Sequence, residues 1–133
     1  MSSLPFHFPD VYEGLAEAEG LLALTSNAIV LEYQIKDVFT GAFKSDLKKV
    51  VLPFEQIDDV EFRTNFLRTD ITIQMNSMEL VHDVPNAKQG RVQLKISRKH
   101  RREAAAIAHE VSITVSDRKL EKLERPEIES HDE

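Results

Sequence analysis

The residues with the most obvious chemical potential are Arg98, Lys99, His100, Arg101 and Arg102, which put four permanent cations and one titratable ring into five consecutive positions. They open the only segment whose apolar residues, Ala104, Ile107, Ala108 and Val111, recur at helical i, i+3, i+4, i+7 spacing. The N-terminus of a helix carries partial positive charge and free backbone N–H groups. It attracts anions and disfavours cations by about 0.3–1 kcal/mol each. Arg98, Lys99, Arg101 and Arg102 are therefore a candidate anion site for a phosphate, a lipid headgroup or an acidic protein segment. The alternative is a solvated first turn balanced by Glu103 and acidic loops.

Other constellations point away from catalysis. Glu55, Asp58, Asp59 and Glu61 are oxygen-rich, but they lack the alternating ligand spacing, the central glycine and the distal glutamate of a calcium loop. They read as a solvated turn or as partners of the basic cluster. None of His7, His82, His100, His109 and His131 has the spacing of a zinc motif, and His82 reads as a satisfied core histidine on a strand. No nucleophile elbow, phosphate-binding loop or dinucleotide turn is present, and there are only 4 glycines to build one. The expectation is a non-enzymatic protein with no cofactor and no metal.

The net charge of −6 hides an asymmetry: four positive charges at 98–102 lie between two flanks that are each net negative by 5. General nucleic-acid binding draws on many phosphate contacts and a basic domain, so nucleic acid is not an expected partner. The surrounding negative charge also argues against a bilayer and in favour of a compact anion. The chain has no cysteine, which removes disulfides, thiolate ligands and a cysteine nucleophile and fits a reducing compartment. Met1 to Asp10 has neither the basic start nor the apolar run of a secretory signal, and no stretch approaches the length of a membrane span. A cytoplasmic, soluble protein is expected.

The elements that must position these residues are mostly strands. Val92, Leu94 and Ile96 alternate with Arg91, Gln93 and Lys95, and the period changes at Ser97, the expected N-cap of the helix. Upstream, alternation marks Leu22–Leu24, Ala28–Lys36, Lys48–Phe54, Ile57–Phe62, Asp70–Met75 and Met78–Val84, which with the last strand makes seven. Ser26–Asn27 and Asn76–Ser77 read as hairpin connections. Residues 1–14, with Pro5, Pro9 and the aromatics Phe6, Phe8 and Tyr12, show no period. They read as an extended interaction arm that either floats or docks on the domain or on a neighbouring subunit. Ile113, Thr114 and Val115 weaken helix propensity, so the helix is expected over 98–111. An acidic tail over 116–133 follows, partly helical and then disordered.

Seven short strands and one late helix resemble the pleckstrin-homology-like (PH-like) superfamily in its small bacterial form. The likeness rests on the Leu22/Leu24 and Ile29/Leu31/Tyr33 hairpin, on Val50-Val51-Leu52-Pro53-Phe54 followed by Ile57-Asp58-Asp59-Val60, and on the helix after Ile96. It covers about Gly20 to Val115. It implies a mainly β fold over 15–115: a seven-stranded antiparallel barrel, or two orthogonal sheets, capped by the helix. Ile107 and Val111 would then pack on Ile29, Leu31, Leu94 or Ile96. The resemblance also implies a binding scaffold. Phosphoinositide-binding members carry Lys and Arg around the first hairpin loop, whereas Thr25-Ser26-Asn27 has none. The functional expectation is a protein-interaction or self-association module, and the alternative is anion recognition by the basic first turn.

Overall fold

The computed structural model describes residues 3–11, 16–43, 46–82, 84–85 and 87–124. It contains seven strands, β1 (Ser3–Val11), β2 (Ala16–Leu24), β3 (Ala28–Asp37), β4 (Lys48–Pro53), β5 (Ile57–Thr64), β6 (Thr69–Met75) and β7 (Arg91–Ile96), and one helix, α1 (Arg101–Glu124). The strands form one antiparallel sheet in the order β4-β3-β2-β1-β7-β6-β5. Two meanders, β1 to β4 and β5 to β7, are thus joined through β1 and β7. No helix among the described residues is long and apolar enough to cross a membrane.

The edge strands β4 and β5 are joined by only the one-turn 3-10 helix Phe54–Gln56. Laid flat, six inter-strand steps would separate the edges by about 29 Å, whereas a three-residue link reaches only about 13 Å. The sheet is therefore rolled until its edges approach at this corner. It is not closed, because β4 and β5 form no ladder with each other among the described residues.

The rolled interior holds alternate residues of every strand, including Leu4, Phe6 and Phe8 of β1, Leu31 and Tyr33 of β3, and Ile71 and Ile73 of β6, all essentially inaccessible. Phe8 stacks edge-on against both Phe6 and Tyr33, at centroid distances of 5.1 and 5.2 Å. Between them in register lies Gly20, opposite Phe6 on one side and Tyr33 on the other. A Cβ at Gly20 would overlap the Glu32 carbonyl oxygen and lie 2.8 Å from the Tyr33 Cα. Glycine is required here by the close approach of β2 to β3.

Several expectations are corrected. The presumed arm is the middle strand of the sheet, and Phe6 and Phe8 are core residues; Tyr12 lies outside the described residues. Leu4, Phe6 and Phe8 do alternate, but Pro5 and Pro9 obscured the pattern because proline is rare in central strands. The β1–β7 ladder accommodates them: among the described residues its pairing is His7 with Lys95, the position between the two prolines, where an N–H is available. Met78–Val84 is not a strand but carries the 3-10 turn Glu79–Val81. Its His82 is exposed, with Nδ1 2.8 Å from the Glu79 carbonyl oxygen. The expected count of seven strands thus survives only because one was missed and another was misplaced.

Ser97 makes no side-chain cap. It precedes a 3-10 turn, Arg98–His100, which runs into α1. The helix also continues through Ile113-Thr114-Val115 to Glu124. Packing overrides propensity there, because Val111 and Val115 prolong the buried stripe begun by Ala104, Ile107 and Ala108. Ile107 and Val111 are buried as expected, but the helix packs chiefly on β5, β6 and the Phe54–Gln56 corner rather than on β3 and β7, which carry the expected partners Ile29, Leu31, Leu94 and Ile96. Its distal half is tied down by polar contacts as well. Arg118 donates to the Ser26 carbonyl and to Asn27 Oδ1, both at 3.2 Å, and lies over the Phe54 ring, while Lys119 Nζ donates to the Asp58 carbonyl at 2.7 Å. Residues 125–133, the end of the expected disordered tail, lie outside the described residues.

Candidate binding surface

The basic first turn does not gather its cations around one point. Arg98 turns toward the β5–β6 connection and donates from Nη1 to the Phe66 carbonyl oxygen at 2.7 Å. Lys99 and His100 instead line a groove on the outer face of the sheet. Arg101 and Arg102 are exposed on the first turn of α1, where His100 Nδ1 lies 3.3 Å from Glu103 Oε2. Arg98 and Lys99, two of the four cations expected to share one anion, thus meet different neighbours.

The acidic group is likewise dispersed. Glu55 pairs with Arg118 at 3.6 Å, and Glu61 binds Arg63 at 2.7 Å. That hydrogen bond, together with the Glu61 charge, holds the Arg63 guanidinium above its ordinary pKa. Asp58 contributes its backbone carbonyl to Lys119, and Asp59 is exposed on β5. The Glu55 and Asp58 contacts fasten the far end of α1, and the Glu61–Arg63 pair lies along β5. Among the described residues, no group of three or more His, Cys, Asp or Glu is arranged to hold a metal ion.

The groove has a volume of about 610 Å³. Its floor is the outward face of β1, β2 and β3, with His7, Glu19, Leu21, Glu32 and Gln34, and one end is closed by Lys99 and His100. Its apolar wall is supplied by Phe43 and Leu47 of the β3–β4 connection. Local chemistry explains why Phe43 returns to the sheet. Asp37 Oδ1 accepts from the Phe39 and Thr40 amides at 2.8 and 3.1 Å, Gly41 adopts φ 72°, and the Asp37 amide donates to the Ala42 carbonyl at 2.8 Å. This turn reverses the chain and bridges Phe43 back to Lys36. Leu21 is 48% exposed, Phe43 and Leu47 are exposed beside it in the groove, and Val38 and Phe39 are exposed in the same β3–β4 connection. Sequence reasoning passed over Leu21 and Leu47. The available signal was Leu21 at an outward position of an alternating strand, together with aromatic residues in a polar loop.

A second missed feature is the β5–β6 turn. Asn65 Oδ1 accepts from the Leu67 and Arg68 amides at 2.8 and 3.0 Å, and Phe66 and Leu67 project into solvent. At its base Asp70 is only 2% exposed. Its Oδ2 accepts from Gln93 Nε2 at 3.3 Å and lies 3.5 Å from Arg68 Nε, while Oδ1 has no hydrogen-bond partner among the described residues. No family model, no curated protein and no solved structure matches this chain.

Proposed function

We propose that this chain is a non-enzymatic interaction module on a PH-like scaffold, and that the groove across β1, β2 and β3 is its working surface, occupied by a second copy of the chain. The scaffold reading is supported by the two antiparallel meanders, the corner at Phe54–Gln56 and the helix laid over it. The observation that carries the interaction reading is the apolar strip of Leu21, Phe43 and Leu47. Val38 and Phe39, in the same connection as Phe43, are exposed as well, and exposed apolar side chains gathered on one surface mark interaction sites.

The distribution of charge favours self-association over an unrelated partner. Glu19 and Glu32 lie on the groove floor, Lys99 and His100 close its end, and the apolar strip belongs to the same surface. Two copies related by a two-fold axis through the strip would set each acidic floor against the other's basic end, the self-complementarity an isologous interface needs. Pairing through the sheet edges is disfavoured, because Lys48 and Lys49 guard β4 and Asp58, Asp59, Glu61 and Arg63 guard β5.

Sedimentation velocity over a concentration series tests the reading. The wild-type chain is expected to dimerise in the micromolar range, and Leu21→Glu, a change on the outer face, to remain monomeric with an unaltered melt. A wild-type chain that stays monomeric at several hundred micromolar refutes it.

A further inference from the structure

We infer that the outward face of α1 is a docking surface for an amphipathic helix of another protein, one whose apolar heptad seam is bordered by Lys or Arg. The face is separate from the groove and does not depend on it.

A helix that only covers a core has one apolar stripe, whereas α1 has two. Ala104, Ile107, Ala108, Val111 and Val115 are buried, while Ile113, Leu120 and Leu123 are 48%, 56% and 72% exposed. The exposed three are not scattered. Leu120 follows Ile113 by one heptad and Leu123 lies one turn further on, the a, a and d positions of a single seam, with the small Ser116 at the d position between. Ala106 and His109, both exposed, extend the seam toward the first turn of α1. From Ala106 to Leu123 it runs about 26 Å, the length of roughly five turns of a partner helix.

The helix also sorts its charge. Arg118, Lys119 and Lys122 line the crevice over Phe54, and the first two donate to the Ser26 and Asp58 carbonyls. Glu110 and Asp117, again one heptad apart, and Glu121 instead border the exposed seam along one edge, and all three are exposed. Among the described residues none of these carboxylates takes part in a salt bridge. The seam is thus flanked by an acidic edge that calls for a cationic one.

A second copy of the chain does not supply it. Two α1 helices packed antiparallel would set Glu110 and Asp117 against the same acidic edge of the other helix, a like-charge contact. Packed parallel, that edge would meet Ala105, Ser112 and Lys119, and Lys119 is already bonded to the Asp58 carbonyl. A helix from another protein with Leu or Ile along its seam and Lys or Arg beside it satisfies both features at once.

The probe is a synthetic peptide of about three heptads with Leu at a and d and Lys at e and g, where the Lys rows also keep the peptide from pairing with itself. The controls are the same peptide with Glu at e and g, and a scrambled peptide of equal charge without the seam. Titration calorimetry on the full chain is expected to show the Lys-edged peptide binding ~10-fold or more tightly than either control. Its amide shifts should centre on residues 110–123. Leu120→Ser/Leu123→Ser is expected to lose ~30-fold or more in affinity, and Glu110→Lys/Asp117→Lys to prefer the Glu-edged peptide instead. Both variants should keep the wild-type melt, since the changed residues are exposed. Absent binding, equal binding of the scrambled peptide, shifts centred on the groove, or an unchanged preference after either double substitution overturns the inference. Shifts at Leu120 and Leu123 that grow with protein concentration in the absence of peptide overturn it as well, by assigning the face to a second copy.

Discussion

Replacing Gly20 with alanine places a methyl group where the Glu32 carbonyl oxygen already lies, and 2.8 Å from the Tyr33 Cα. Both neighbours are backbone, so no side chain can rotate away. Relief requires β2 and β3 to separate along a ladder that runs from Ala16–Asp37 to Leu24–Ile29. Moving β2 also disturbs Phe6, which is in register with Gly20, and through it the Phe6–Phe8–Tyr33 ring contacts. Ordinary overpacking costs about 1–3 kcal/mol, and a clash confined to backbone belongs at the top of that range or above it. At roughly 3–5 °C per kcal/mol for a chain of this size, the midpoint should fall by about 10–15 °C. Urea and thermal melts followed by circular dichroism measure this directly. A Gly20→Ala melt within a degree or two of wild type would refute the close approach of β2 to β3.

Ile107→Asp, at a position only 7% exposed on the inner face of α1, buries an unpaired carboxylate and should cost several kcal/mol, about enough to abolish the cooperative transition; a near-wild-type melt would show that α1 does not cover the core. Arg118→Ala removes the contacts to Ser26, Asn27, Glu55 and Phe54 and should cost about 1–2 kcal/mol because the groups are partly solvated. Hydrogen exchange should then quicken in the last turns of α1 before its first. Deleting residues 3–11 removes the middle strand of the sheet and should leave a chain without a cooperative melt, whereas loss of a mere arm would leave the melt intact.

How far the fold was legible depended on whether local and tertiary signals agreed. From Ile29 to Lys36 in β3, and throughout β7, every inward position is apolar and every outward one is polar or only partly buried, so period two could be read without ambiguity. In β1 the same alternation exists, but two prolines speak against a central strand, and only the sparse β1–β7 ladder makes them tolerable. The segment around Leu80 and His82 alternates by accident; its chain turns instead, with Val81 as the buried residue. Helix propensity fails at Ile113–Val115 because the contacts that hold α1 there come from Val60, Ser26 and Asp58, all remote in sequence.

The basic cluster was visible as composition, but its division between groove and hairpin tip was not. Which neighbour each cation meets depends on Arg98 reaching Phe66, 32 positions away. The groove was still less legible. Leu21 acquires meaning only when Asp37 and Gly41 fold Phe43 back beside it.

A concentration series of ¹H–¹⁵N correlation spectra on the full chain bears most directly on the claim that the groove is where two copies meet. Amide shifts should concentrate at Glu19, Gly20, Leu21, Phe43, Leu47, Lys99 and His100, with the outer positions of β5 and the far end of α1 unmoved. Spectra that do not change with concentration, or shifts centred on the β4 edge at Val51 or on Leu120 and Leu123 of α1, would contradict it.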